Sequence, residues 1–165
     1  MLAAPLGALF AAALLFAGQT AAPSTGETDM HHARGTFDVA ITPVPPAPET
    51  APDVPGRMTL SKVFHGGLTG TGTGEMLATL APNTPGIGPS GAYVAMERVN
   101  GTLDGHDGSF ALVHRGLMEA GAQDLLITIV PGSGTGDLAG IAGVFHLTIE
   151  GGEHRYDLAY SLPTP

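Results

Sequence analysis

The sequence predicts an all-β protein: an eight-stranded antiparallel meander β-barrel behind an N-terminal signal segment. Three observations predict it. The 165 residues include Gly 25 and Pro 14, and in a helix interior each Gly costs about 1 kcal/mol and each Pro about 3 kcal/mol. Apolar and polar residues alternate in short runs, the period of a half-buried strand. Turn residues separate those runs at close intervals, with no helical stretch between them. A meander of eight strands removes both open edges by closing on itself. Such a barrel is just wide enough to be filled by side chains or to hold one small ligand. A two-sheet sandwich is the alternative architecture that the pattern permits.

The elements follow in order. Leu6 to Ala17 is an uncharged apolar run, with small residues after it at Gly18, Ala21 and Ala22. It fits the core of a signal peptide over residues 1–22 and is short of the roughly 20 residues of a membrane span. No Lys or Arg precedes it, so the terminal amine supplies the positive charge. Residues 23–33 read as a disordered leader, and residues 34–163 as a single barrel domain. Its first strand alternates at Phe37, Val39 and Ile41, then meets Pro43, Pro45, Pro46 and Pro48. Proline lacks the amide donor of a ladder, so Pro43–Pro55 is expected as an extended loop outside the barrel. Met58, Leu60, Lys62 and Phe64 share a face of a second strand, broken at Gly66-Gly67. After Gly70–Gly74 come a third strand (Met76, Ala78, Leu80) and a fourth (Tyr93–Val99). Asn100-Gly101 then reads as a hairpin turn. Phe110, Leu112 and His114 mark a fifth strand, and Leu125–Val130, apolar but for Thr128, is the sixth. The glycine-rich Gly132–Gly136 is expected as a hairpin turn, since it lacks the Lys and the following helix of a phosphate loop. Ile141–Ile149 and His154–Leu162 are the seventh and eighth strands, joined at Gly151-Gly152.

The short segments Arg34-Gly35-Thr36-Phe37, Arg57-Met58-Thr59-Leu60, Gly74-Glu75-Met76-Leu77, Tyr93–Val99, Gly108–His114, Pro131–Gly136 and His154-Arg155-Tyr156 occur in that order. Together they resemble a bacterial domain-of-unknown-function family, DUF3224, of the allene oxide cyclase-like barrel superfamily. The resemblance runs from about Arg34 to Pro163. It implies an eight-stranded antiparallel barrel, in agreement with the strand count, and no assigned activity. The name of a fold does not transfer cyclase activity.

Charge narrows the partners. Six basic residues stand against 15 acidic ones, a net −9 with His neutral. A chain this acidic repels phosphate backbones, so nucleic acid is not expected as a partner. Cysteine is absent, which removes disulfides, thiolate metal sites and a cysteine nucleophile. The seven His show no H-x-x-x-H or H-x-H spacing, so no metal and no cofactor is expected. After processing no integral membrane span is expected either, and a homo-oligomer is compatible with the pattern.

Placing the apolar faces inward carries polar groups with them. Lys62, Glu97, His114, Tyr156 and Tyr160 all lie on apolar faces. The expected ligand-binding set is Lys62, Tyr93, Glu97, Phe110, His114, Tyr156 and Tyr160, with Glu97 and His114 as catalytic candidates. Burial raises the pKa of a carboxyl and would poise Glu97 as a base, unless Lys62 offsets it. The plainer reading is an ordinary core network, a buried Lys–Glu pair with hydrogen-bonded tyrosines. The resulting expectation is an exported barrel, periplasmic or secreted, that binds a small apolar ligand inside. Its alternative is a structural or interaction module with a packed barrel and no ligand. A third reading is an isomerase or cyclase using Glu97 and His114 as acid and base. Interior volume separates them, because small-molecule sites start at roughly 300 Å³.

Overall fold

A computed structural model describes residues 29–47, 54–82, 86 and 88–163. The expected signal segment, most of the expected leader and the middle of the proline loop lie outside the described residues. The strands are β1 (His31–Val44), β2 (Gly56–Gly66), β3 (Leu68–Leu80), β4 (Gly91–Leu103), β5 (His106–Glu119), β6 (Ala122–Ile129), β7 (Thr135–Gly136), β8 (Ala142–Glu150) and β9 (Glu153–Ser161). All pairings are antiparallel. The ring runs β4-β3-β2-β1-β9-β8-β6-β5 and closes by pairing β4 with β5. Eight strands therefore form a closed barrel, and the two-residue β7 flanks β5. Among the described residues no helix is long and apolar enough to cross a membrane.

Four local expectations change. β1 begins at His31, inside the expected leader, because Ala33 is buried and His31–Phe37 pairs with β9. It also continues through Pro43 and Val44, which pair with Met58 and Arg57, so the connecting loop begins at Pro45. The chain does not turn at Asn100-Gly101. It turns at Asp104-Gly105, both with positive φ (47° and 90°), as a two-residue hairpin of the primed type requires. The reason is register: turning here pairs Val99 with Phe110 and leaves Leu103 inside, all three fully buried. A turn at Asn100-Gly101 would have sent Leu103 to the outer face.

The fourth change is at Gly132–Gly136, which is part of a longer connection rather than a tight hairpin. Thr135 and Gly136 pair with Ser109 and Gly108 of β5. Arg98 fastens the segment, donating to Ser133 O (3.1 Å) and to Ser109 Oγ (2.8 Å). Ser133 Oγ accepts from Ala111 N (2.9 Å) and donates to Val130 O (2.6 Å). Leu138 and Ile141 of the same segment are buried in the core.

The interior divides in two. One half is solid, built on Phe37, Phe64, Leu68, Leu103, Phe110, Phe145, Tyr156 and Leu158 with Leu138 and Ile141. Tyr156 ties it together: its Oη accepts from Leu68 N (2.9 Å) and lies 3.2 Å from the carbonyls of Leu68 and His65. The other half holds a smaller cluster of Leu60, Met76 and Ala95, with Met58 and Tyr93 against it. This half faces the end carrying the β1–β2 and β3–β4 connections and the turns at Ala120-Gly121 and Gly151-Gly152. One seam differs from the rest. β6 and β8 share a single registered pair, Thr128 with Val144, whereas β8 and β9 are registered from Ala142–Ser161 to Glu150–Glu153.

Candidate functional site

The open half of the barrel contains a cavity of about 340 Å³. Its walls are apolar, with Met58, Leu60, Met76, Ala95, Leu125 and Leu147 among them. Ile41, Leu80 and Ile149 also line it and are exposed, which places the mouth at their end of the strands. Lys62 and His114 line it as buried polar groups, with Tyr93, Gln123 and His154 as the other polar side chains.

Lys62, Glu97 and His114 are brought together here, 7, 2 and 4% exposed. They sit on β2, β4 and β5, so Lys62 must reach across β3 to meet Glu97. In register, β3 places Gly72 opposite Lys62 and Gly74 opposite Glu97. Two glycines on the inner face leave a lane without side chains. A Cβ at Gly72 would collide with Glu97 Oε1 and lie 3.1 Å from the Phe64 ring. Through that lane Lys62 Nζ donates to Glu97 Oε2 at 2.7 Å. His114 Nε2 lies 3.0 Å from the same oxygen, within ion-pair distance but without hydrogen-bond alignment. Glu97 Oε1 has no hydrogen-bond partner among the described residues.

The electrostatics take the branch in which Lys62, with His114, offsets burial. Burial pushes the Glu97 carboxyl up, but His114 and Lys62 beside it outweigh burial and hold it below its ordinary value. Glu97 is therefore a charged partner for Lys62 and poorly poised as a base. Beneath Lys62 lies an aromatic floor: its Nζ stands 4.7 Å from the Phe37 centroid and 5.6 Å from those of Phe64 and Phe145. Ring faces attract a cation in this geometry.

The other expected site residues separate. Tyr93 lines the cavity, and burial raises its phenol pKa. Its ring occupies space that a side chain at Gly116 would fill. Phe110, Tyr156 and Tyr160 belong to the solid half and do not line this cavity. The Tyr160 phenol is pushed up to about 12 by burial and by its hydrogen bond to Asp104 Oδ2 (2.9 Å). Sequence reasoning missed the glycine lane and the walls Met58, Leu60 and Met76. The signal for the lane was available, since Gly70, Gly72 and Gly74 recur at the two-residue period of one strand face. Among the described residues no group of three His, Cys, Asp or Glu side chains gathers as a metal site.

The comparisons with known proteins agree on one lineage. A family model described as a protein of unknown function, DUF3224, matches residues 33–160. A crystal structure from Shewanella oneidensis MR-1, described as a protein with unknown function from the DUF3224 family, is 38% identical. The similarity covers 83% of this chain and 100% of that one, with a TM-score of 0.72. No curated protein matches. A family model spanning most of the described chain, and a solved relative covered along its whole length, mean that the protein belongs to the DUF3224 family.

Proposed function

We propose that this protein binds a small apolar molecule in the open half of its barrel. The observation that carries the reading is the cavity of about 340 Å³ with its exposed mouth at Ile41, Leu80 and Ile149. Its volume falls within the range of about 300–1,000 Å³ usual for small-molecule sites. A barrel serving only as a packed module has no need of an apolar hollow beside a well-packed half. The lowered Glu97 weighs against the isomerase or cyclase reading, which needs a base poised near neutrality. The reading includes export, supported by the apolar run Leu6–Ala17 and the small residues behind it. It also includes kinship with allene oxide cyclase-like barrels, supported by the eight-stranded antiparallel closure, without their chemistry.

The test is calorimetric titration of the purified protein with butylbenzene, alongside an Ala95→Leu variant. Ala95 is a buried wall residue, so the larger side chain takes up cavity space. Saturable binding by the natural protein, weakened at least fivefold in the variant, supports the reading. No measurable binding at the solubility limit overturns it. Intact-mass measurement of protein from the native host tests export, and a full-length cytoplasmic chain would defeat that part.

A further inference from the structure

We infer that the cavity takes a small neutral molecule with one carbonyl oxygen seated on the Lys62 ammonium. The corresponding carboxylate is rejected. The inference rests on the ligand-binding reading above and deepens it to a chemical class: a ketone, aldehyde or ester with an apolar body.

The size follows from the volume of about 340 Å³. The head group follows from the donors. An ammonium has three N–H donors, and among the described residues Lys62 uses one, toward Glu97. Phe37, Phe64 and Phe145 surround the Nζ as rings, which attract its charge but supply no oxygen or nitrogen acceptor. Lys62 is only 7% exposed as a residue and lines the cavity, so the cavity is the space in which its remaining donor capacity can meet an acceptor. An acceptor there satisfies a donor that is costly to leave unpaired in a low dielectric.

The charge balance decides against an anion. Glu97 already neutralises Lys62. The other polar groups lining the cavity are Tyr93, His114, Gln123 and His154, none of them a permanent cation. A ligand carboxylate would put two like charges around one ammonium in apolar surroundings, which is unfavourable. Balancing it would require a histidine to take up a proton. A carbonyl oxygen carries no net charge and makes no such demand.

Three probes share one phenylethyl body: benzylacetone ends in a methyl ketone, hydrocinnamate in a carboxylate, and butylbenzene in hydrocarbon. Each is titrated calorimetrically at about pH 8, above the ordinary histidine pKa of about 6.5. Benzylacetone is expected to bind at least tenfold more tightly than hydrocinnamate. The double variant Lys62→Met, Glu97→Gln removes both charges together, so neither is left buried alone. In it, benzylacetone should lose at least fivefold relative to butylbenzene. Infrared spectroscopy of benzylacetone on the natural protein gives a reading independent of the variant's folding. Its carbonyl stretch should lie below the value in alkane solvent. If neither butylbenzene nor benzylacetone binds, the ligand-binding reading itself fails. If butylbenzene binds but hydrocinnamate matches benzylacetone, or the stretch keeps its alkane value, the neutral-carbonyl inference alone is overturned. A double variant that folds and retains the full preference for benzylacetone overturns it as well.

Discussion

Glu97 faces two cationic or protonatable neighbours with one carboxylate, and its removal tests how the three depend on it. Glu97→Gln leaves the Lys62 ammonium buried without its counter-charge. The expected loss is about 3–5 kcal/mol, the range for breaking a buried pair by removing one partner. Thermal melts at neutral pH measure it, and an unchanged melting temperature would contradict it. The pH dependence has a definite sign. Because the folded-state pKa of Glu97 is lowered, its contribution is fully present above the unfolded carboxyl value of 4.5. It is lost as pH falls through the folded value. The natural protein should therefore lose stability as pH falls from 4.5 through the folded value, and the Gln variant should lose less over the same interval. At the solid end, Tyr156→Phe removes the phenol that accepts from Leu68 N. A buried donor left unpaired costs about 1–3 kcal/mol, which a urea melt of the variant should show. The inward direction of Lys62, Glu97 and His114 was legible in the sequence, because each alternates with apolar neighbours on its strand. That Tyr156 and Tyr160 would work in the solid half was not, because alternation gives the face and says nothing of depth along the barrel.

β3 shows where pattern reading weakens at the level of elements. From Leu68 to Leu80 it is one strand, yet only its later part advertises itself by apolar alternation. Gly70, Gly72 and Gly74 carry no side chain, so the pattern falls silent where the strand lies closest to the charged trio. Adding a methyl at Gly72 tests the lane. Gly72→Ala would force Glu97 or Phe64 to move, with an expected cost of about 1–3 kcal/mol for overpacking. Denaturant melts measure it, and a neutral result would mean that Glu97 has another resting place. The β4–β5 hairpin carries a related lesson. Asn100-Gly101 and Asp104-Gly105 have equivalent local turn chemistry, and the burial of Leu103 chooses between them.

For the whole molecule, strand number and antiparallel order were readable from spacing, whereas closure was favoured over a two-sheet sandwich that the same spacing permits. The division into a solid half and a hollow half was not, because it depends on how the connection after β6 docks against β5 and buries Leu138 and Ile141. Nor was the seam between β6 and β8 legible, since each strand looks ordinary by itself. Its single registered pair predicts a hydrogen-exchange map in which the seam-facing amides of β6 and β8 exchange earliest among the barrel strands. Amides of β4 paired across Gly91–Leu103 with both β3 and β5 should exchange last. Uniform protection around the ring would contradict this.

That seam also bears on how copies of the protein treat one another. Two strands with few rungs between them present spare amide and carbonyl groups, the template on which a foreign strand adds and aggregates begin. The sequence places Gln123 and Asp124 on β6 and His146, Thr148 and Glu150 on β8, residues that discourage such stacking. The net charge of −9 keeps molecules apart near neutral pH. Close to the isoelectric point of about 5.0 that repulsion vanishes. Light scattering should then show concentration-dependent association near pH 5.0 that is absent at neutral pH. Charge-reversing Asp124→Lys should alter it more than the same reversal at Asp38, which lies on β1 away from the seam.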